Sequence, residues 1–195
     1  VGQLSTIPVR LTENSRINEL VEECISIEKA EWDSFETSWD FKSHPFISSA
    51  AKKKDMPISW HFAQWEELCK KRFDQVLKNE EEINKIFIDI YGLLGDISPE
   101  VNPKGVSIRK ADLTREIKSL ISYAVGCMFG RYSLDTDGLV YAGGKWDPSV
   151  YVLFDADKDA IIPICDDEYF EDDIVGRFVS FIKTVFGETN IEENL

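Results

Sequence analysis

Histidine is scarce in this sequence: His44 and His61 are the only two in 195 residues. Neither pairs with a serine or cysteine at a telling position, so nucleophilic catalysis finds no support. His44, standing before Pro45 in an aromatic loop, reads as a packing or capping group. Cysteine is sparse as well. Cys24, Cys69, Cys127 and Cys165 lie far apart with no CxxC pair. That spacing argues against a zinc site or a disulfide framework and implies free thiols in a reducing, cytoplasmic compartment. Long apolar runs are missing too. The most apolar run, ISYAVGCMFGRYSLD from Ile121 to Asp135, carries Arg131 and falls short of the roughly 18–20 residues needed to span a bilayer, so no membrane contact is expected. Phosphate-cradling GxGxxG and GKS motifs are lacking, as are internal repeats and low-complexity tracts. Positive charge is short: 22 Lys and Arg face 36 Asp and Glu, a formal net charge of −14. Such a surface repels DNA phosphates and anionic lipid, so the chain by itself is expected to bind DNA weakly or not at all.

What is present suits a folded protein. Hydrophobic residues make up 43% and aromatics 12%, and the length serves one sizeable domain or two small ones. An opening Val1 and an abrupt polar end, IEENL, are the marks expected of a fragment of a longer protein. The expected fold class is mainly α, a helical domain with one very long helix and a small β element of short strands near residues 139–164. Two regions are expected. Residues 1–58 form an entering connector, a helix and an aromatic loop; residues 59–195 form the long helix and a helical core with the small β element.

Periodicity places the elements. Ile17, Leu20, Val21, Cys24, Ile27 and Trp32 fall near helical spacing and predict a helix from about Asn14 to Ser34. The next segment, to Pro57, predicts an ordered loop pinned by Trp39, Phe41 and Phe46. Ser59 is the expected N-cap of the longest helix, whose apolar stripe is Phe62, Trp65, Cys69, Phe73, Val76, Ile83, Phe87 and Ile90, ending at Gly92. A helix of about 32 residues and roughly 48 Å would suit a strut or spacer. Residues 93–111 predict a loop with a short strand at Val106 to Arg109. Asp112 is the expected cap of a helix carrying Leu113, Ile117, Leu120, Ile121, Ala124, Val125 and Met128. Short strands are expected at Leu139–Ala142, Tyr151–Phe154 and Ile161–Ile164. A last helix is expected from Tyr169 to Gly187, with Glu171, Asp172 and Asp173 in its first turn and Phe170, Ile174, Phe178, Phe181 and Val185 inward.

Four motifs invite a chemical reading. DADKDAIIPICD, Asp155 to Asp166, imitates a calcium-binding EF-hand loop, but Ala160 stands where the turn needs glycine, Pro163 fills the ninth position and Asp166 replaces the last glutamate. A solvated acidic turn is the expectation. Gly126 and Gly130 form a small-xxx-small pair, read as a site where another helix backbone or a bulky aromatic packs closely rather than as a membrane contact. The cluster DDEYFEDD, Asp166 to Asp173, lacks the companion ligands of a divalent-ion site. WDPSV, Trp146 to Val150, has Ser149 and Val150 where the amino-methyltransferase clamp (D/N)PP(Y/F) needs proline and an aromatic; it reads as a turn. No catalytic, cofactor-binding or metal residue is assigned.

Four stretches in order carry a resemblance: FETSWDFKSHPF, NEEEINKIFIDIYGLLGDISPEV, IKSLISYAVGCMFGRYSLDTDGLVYAGG and IIPICDDEYFEDDIVGRFVSFIK. From about Phe35 to Leu195 the chain resembles the C-terminal half of the PglX family, adenine-specific DNA methyltransferases of bacterial BREX phage-defence systems. The resemblance implies a parent that uses S-adenosylmethionine to methylate adenine N6 in double-stranded DNA. The family's NPPY and cofactor motifs do not occur here, so it implies a non-catalytic helical segment without cofactor. Two further readings stand beside it: an acidic module docking other defence-system proteins, and an acidic DNA mimic. By the resemblance ISYAVGCMFGRYSLD is expected as a packed core helix.

Overall fold

The structure, a computed structural model, describes residues 8–10, 12–170 and 172–195. Most of the expected entering connector and Glu171 therefore lie outside the described residues. The chain is mainly helical: α1 is Ser15–Trp32, α2 Pro45–Ala50, α3 Ile58–Tyr91, α4 Leu113–Met128, α5 Ile174–Phe186 and α6 Ile191–Asn194. None of the described helices is long and apolar enough to cross a membrane. The chain divides into two compact units, Val1–Ala30 with Lys70–Arg109, and Glu31–Cys69 with Lys110–Leu195.

In the first unit α1 presents a narrow stripe. Leu20 is buried and Ile17, Cys24 and Ile27 are half-buried, whereas Val21 is exposed. Cys24 and Ile27 pack against a small cluster, Phe73 and Val76 of α3 with Val106 and Ile108 of the loop. Polar bonds supplement it. Asn79, buried on α3, donates to Glu23 at 2.8 Å and accepts from Gln75 at 2.9 Å. Arg16 grips Glu82 through Nε at 2.7 Å and through its terminal nitrogen at 3.1 Å, the bidentate geometry that suits guanidinium and carboxylate. Gly92, at φ +70°, ends α3, with the Leu93 N–H reaching the Ile88 carbonyl at 2.9 Å. Arg10 adds a guanidinium bond to the Ile90 carbonyl at 2.6 Å.

The second unit is built around α4, whose Leu120, Tyr123, Ala124, Cys127 and Met128 are buried against Phe181, Ile182, Val185 and Phe186 of α5. Phe46 and Ala50 of α2 and Ile58, Trp65 and Cys69 of α3 complete this core. Asp112 caps α4 as expected, accepting from the Arg115 N–H at 2.7 Å.

Several expectations are corrected. No β-strand occurs among the described residues, at 139–164 or at Val106–Arg109. The backbone donors a ladder needs are held by side chains instead. Asp135 accepts from the N–H groups of Val152 and Leu153, at 2.8 and 2.9 Å, and Asp157 and Asp159 both accept from that of Ile161. Trp39 is fully exposed and pins nothing, whereas Phe41 and Phe46 are buried. The aromatic loop also contains an unforeseen helix, α2, capped by His44. Ser59 is not the cap of α3; the helix starts at Ile58, whose N–H is taken at 2.8 Å by the side chain of Asn194, from the far end of the sequence. Helix α5 starts at Ile174, not Tyr169, because Asp173 accepts the N–H groups of Tyr169, Phe170 and Gly176 and holds the preceding chain in a turn. Phe170 is consequently exposed.

Candidate functional site

The run ISYAVGCMFGRYSLD ends α4 and organises the loops beyond it. Gly126 lies within the helix, whereas Gly130 lies past its end at φ +74°, a conformation glycine adopts without strain. The expected pair inside one helix is thus only half there. Aromatic rings, not another helix backbone, cover both. A Cβ on Gly126 would stand 2.5 Å from the Tyr132 ring, and one on Gly130 would stand 2.6 Å from Trp146.

Three loop segments converge on this end of α4. Tyr151 donates its hydroxyl to the Gly130 carbonyl at 2.6 Å. Trp146 stacks on the Tyr151 ring at 4.7 Å and 10°, with Tyr141 edge-on at 5.1 Å. The Asp157 N–H takes the Met128 carbonyl at 2.7 Å, satisfying an end group the helix leaves open. A cleft of about 330 Å³ is lined by Trp146, Pro148, Tyr151, Asp155, Asp157 and Lys158.

The electrostatics of the cleft arise from those contacts. Burial disfavours the charge of Asp157, but the N–H groups of Asp159 and Ile161 and the Arg177 guanidinium outweigh it and hold the carboxyl below its ordinary range. Arg177 stands 4.0 Å from that carboxylate and donates to the Asp155 carbonyl at 2.5 Å. Asp147 is held low by the side-chain and backbone bonds of Ser149, so WDPSV is a capped turn over Pro148–Val150, as its composition suggests. In the EF-hand look-alike, Ala160 does adopt a left-handed φ of +58° at the place a calcium loop gives to glycine. Its second carboxylate, Asp157, is engaged by backbone and Arg177. Among the described residues no three His, Cys, Asp or Glu side chains cluster as metal ligands.

The other candidates serve the core. His44 accepts from the Phe46 N–H at 3.2 Å, and burial pushes its pKa down to about 3, so it caps α2 as a neutral ring. His61 lies 2.9 Å from the Ser49 hydroxyl, a pairing twelve residues apart that no spacing rule foresees. Burial lowers its pKa, and it packs on Phe186 at 5.2 Å. Burial also raises the Cys127 thiol to about 12, which keeps it from acting as a thiolate. Sequence reasoning missed the Trp146–Tyr151 stack; the glycine-rich, aromatic-bearing region after Tyr132 was its only signal.

No family model matches the chain. Along 198 aligned residues and 100% of its length, the chain is 44% identical to adenine-specific methyltransferase PglX of Lacticaseibacillus casei (strain Zhang). Along 218 aligned residues, again its whole length, it is 34% identical to adenine-specific methyltransferase BrxX of Escherichia coli O9:H4 (strain HS). It spans only 16% and 17% of those two relatives. From end to end, then, the chain is similar to one segment of the PglX and BrxX adenine-specific methyltransferases.

Proposed function

We propose that the chain is a non-catalytic helical segment of a bacterial N6-adenine-specific DNA methyltransferase acting in phage defence, and that it helps position recognition parts or partners. The observation that carries this reading is the 44% identity over the whole chain to 16% of a PglX protein. The side chains are consistent with it: both histidines and Cys127 are engaged in packing and capping. In this reading the helical stretch Ile58–Tyr91 serves as a spacer. In this reading the parent is cytoplasmic, uses S-adenosylmethionine and acts on double-stranded DNA, all through parts outside this chain.

The test separates positioning from chemistry. Phe73→Ala, in the core of the first unit, is introduced into the whole protein. The expected result is unchanged S-adenosylmethionine affinity with reduced adenine methylation. The chain by itself should neither bind the cofactor nor methylate DNA. Micromolar cofactor binding by the chain, measured by calorimetry, overturns the reading.

A second role is favoured by charge. Of the net −14, −12 belongs to the unit Glu31–Cys69 with Lys110–Leu195. This acidic unit is suited to dock a basic protein partner, such as another component of the defence system.

A further inference from the structure

Acidic residues are concentrated in one span. Between Asp135 and Asp173 the sequence carries twelve carboxylates against two basic residues, Lys145 and Lys158. The cleft beyond the end of α4 is lined from this span, by residues of two kinds. Trp146 and Tyr151 supply its aromatic wall, and Asp155 and Asp157 its acidic wall beside Lys158.

The aromatic wall is fixed. One face of Trp146 lies on Tyr151, Gly130 admits its edge, and yet the residue remains 40% exposed. The acidic wall is fixed as well, because Arg177 holds the Asp155 carbonyl and the Met128 carbonyl holds the Asp157 N–H. Asp157 is mostly buried and faces Arg177, which leaves the exposed Asp155 as the carboxylate open to a newcomer. A flat, weakly hydrated cation suits such walls. Guanidinium stacks on indole and pairs with a carboxylate at once, whereas the compact, strongly hydrated ammonium of lysine stacks less well.

We propose that the cleft between Trp146 and Asp155 receives an arginine side chain from a basic segment of a partner protein. The proposal rests on the docking role of the acidic unit and names its anchor. The net −12 of the unit that holds the cleft attracts the basic segment, and the aromatic wall selects arginine within it. DNA is disfavoured by the same net negative charge of the unit.

The test uses the whole protein that carries this chain, at about 150 mM salt to screen nonspecific attraction. Short glycine–serine peptides bearing two arginines, two lysines or two citrullines are titrated by calorimetry. Citrulline keeps the shape of arginine without its charge. The arginine peptide is expected to bind saturably, and the citrulline peptide to bind at least about tenfold more weakly. Asp155→Asn should weaken the arginine peptide about tenfold and Lys158→Glu should tighten it. Trp146→Leu should remove the preference for arginine over lysine; because Trp146 also covers Gly130, the two exposed variants carry the decision if this one misfolds. Equal binding of arginine and citrulline peptides overturns the proposal. Unchanged affinity in both Asp155→Asn and Lys158→Glu overturns the cleft while leaving a diffuse acidic attraction. Absence of saturable arginine binding overturns the cleft and the docking role together.

Discussion

At the scale of single residues, Gly126 and His44 show how close packing constrains chemistry. Gly126 sits in mid-helix, where glycine costs up to about 1 kcal/mol relative to alanine. The Tyr132 ring, stacked on Tyr123 at 5.1 Å and 16°, occupies the space a side chain would need. Gly126→Leu should therefore lose about 1–3 kcal/mol or more in urea denaturation, and Gly126→Ala should also destabilise, contrary to its usual effect on an exposed helix. Stabilisation by Gly126→Ala would show that Tyr132 does not cover the site. His44 makes stability depend on pH. Its folded pKa of about 3 lies below the ordinary 6.5 because the neutral ring is buried. As pH falls below 6.5, the unfolded chain takes up a proton that the folded one refuses, so folding stability declines until about pH 3. His44→Asn, which keeps a capping oxygen, should flatten the melting temperature between pH 6.5 and 4 relative to the parent.

At the scale of elements, the notable feature is how helix ends are closed. Asp112 and Asp173 close α4 and α5 locally, and Gly92 and Gly187 end α3 and α5. The start of α3 is different, since Asn194 and Glu193 of α6 bond Ile58 and Ser59 at 2.8 Å each, and Asn190 bonds the Asp55 carbonyl at 2.9 Å. A helix of four residues has little stability of its own; α6 is held by these bonds and by Ile191 on the core. Asn194→Ala should cost about 1 kcal/mol, the usual value of a lost cap, and should speed hydrogen exchange at the N–H groups of Ile58 and its neighbours. Protection unchanged by the substitution would mean that the cap is idle.

At the scale of the whole molecule, charge is the deciding property. Each unit has its own core, but the net charge is −2 in the unit holding Arg16 and Glu82 and −12 in the other. A protein surface of this kind repels a polyanion over a Debye length of roughly 8–10 Å at physiological salt. Duplex DNA should accordingly show no mobility shift with nanomolar amounts of the chain at that salt. A sequence-dependent shift would make the chain a recognition module in its own right. The basic triplet Lys52–Lys54 and the run Lys70–Arg72 are the places to substitute if one appears.

The sequence by itself determined the features that depend on neighbours along the chain. Helical spacing foretold a mainly helical chain, with α1 and α4 in place, because side chains three and four apart share a face whatever surrounds the helix. The cap at Asp112 and the stops at Gly92 and Gly187 were legible for the same reason: a cap bonds two or three residues ahead, and a positive φ selects glycine. The family resemblance, too, lay in contiguous runs such as GCMFGRYSLD. Only the tertiary structure decided the rest. Whether Leu139–Ala142, Tyr151–Phe154 and Ile161–Ile164 become strands depends on what bonds their backbone, and Asp135, Asp157 and Asp159 supply side-chain acceptors to Val152, Leu153 and Ile161. The Asn194 cap joins groups 136 residues apart, and Trp146 meets Gly130 only because Tyr151 is fastened to the Gly130 carbonyl. Local order comes from bonds that span a turn or less, whereas the cleft and the cap depend on which distant groups packing brings together.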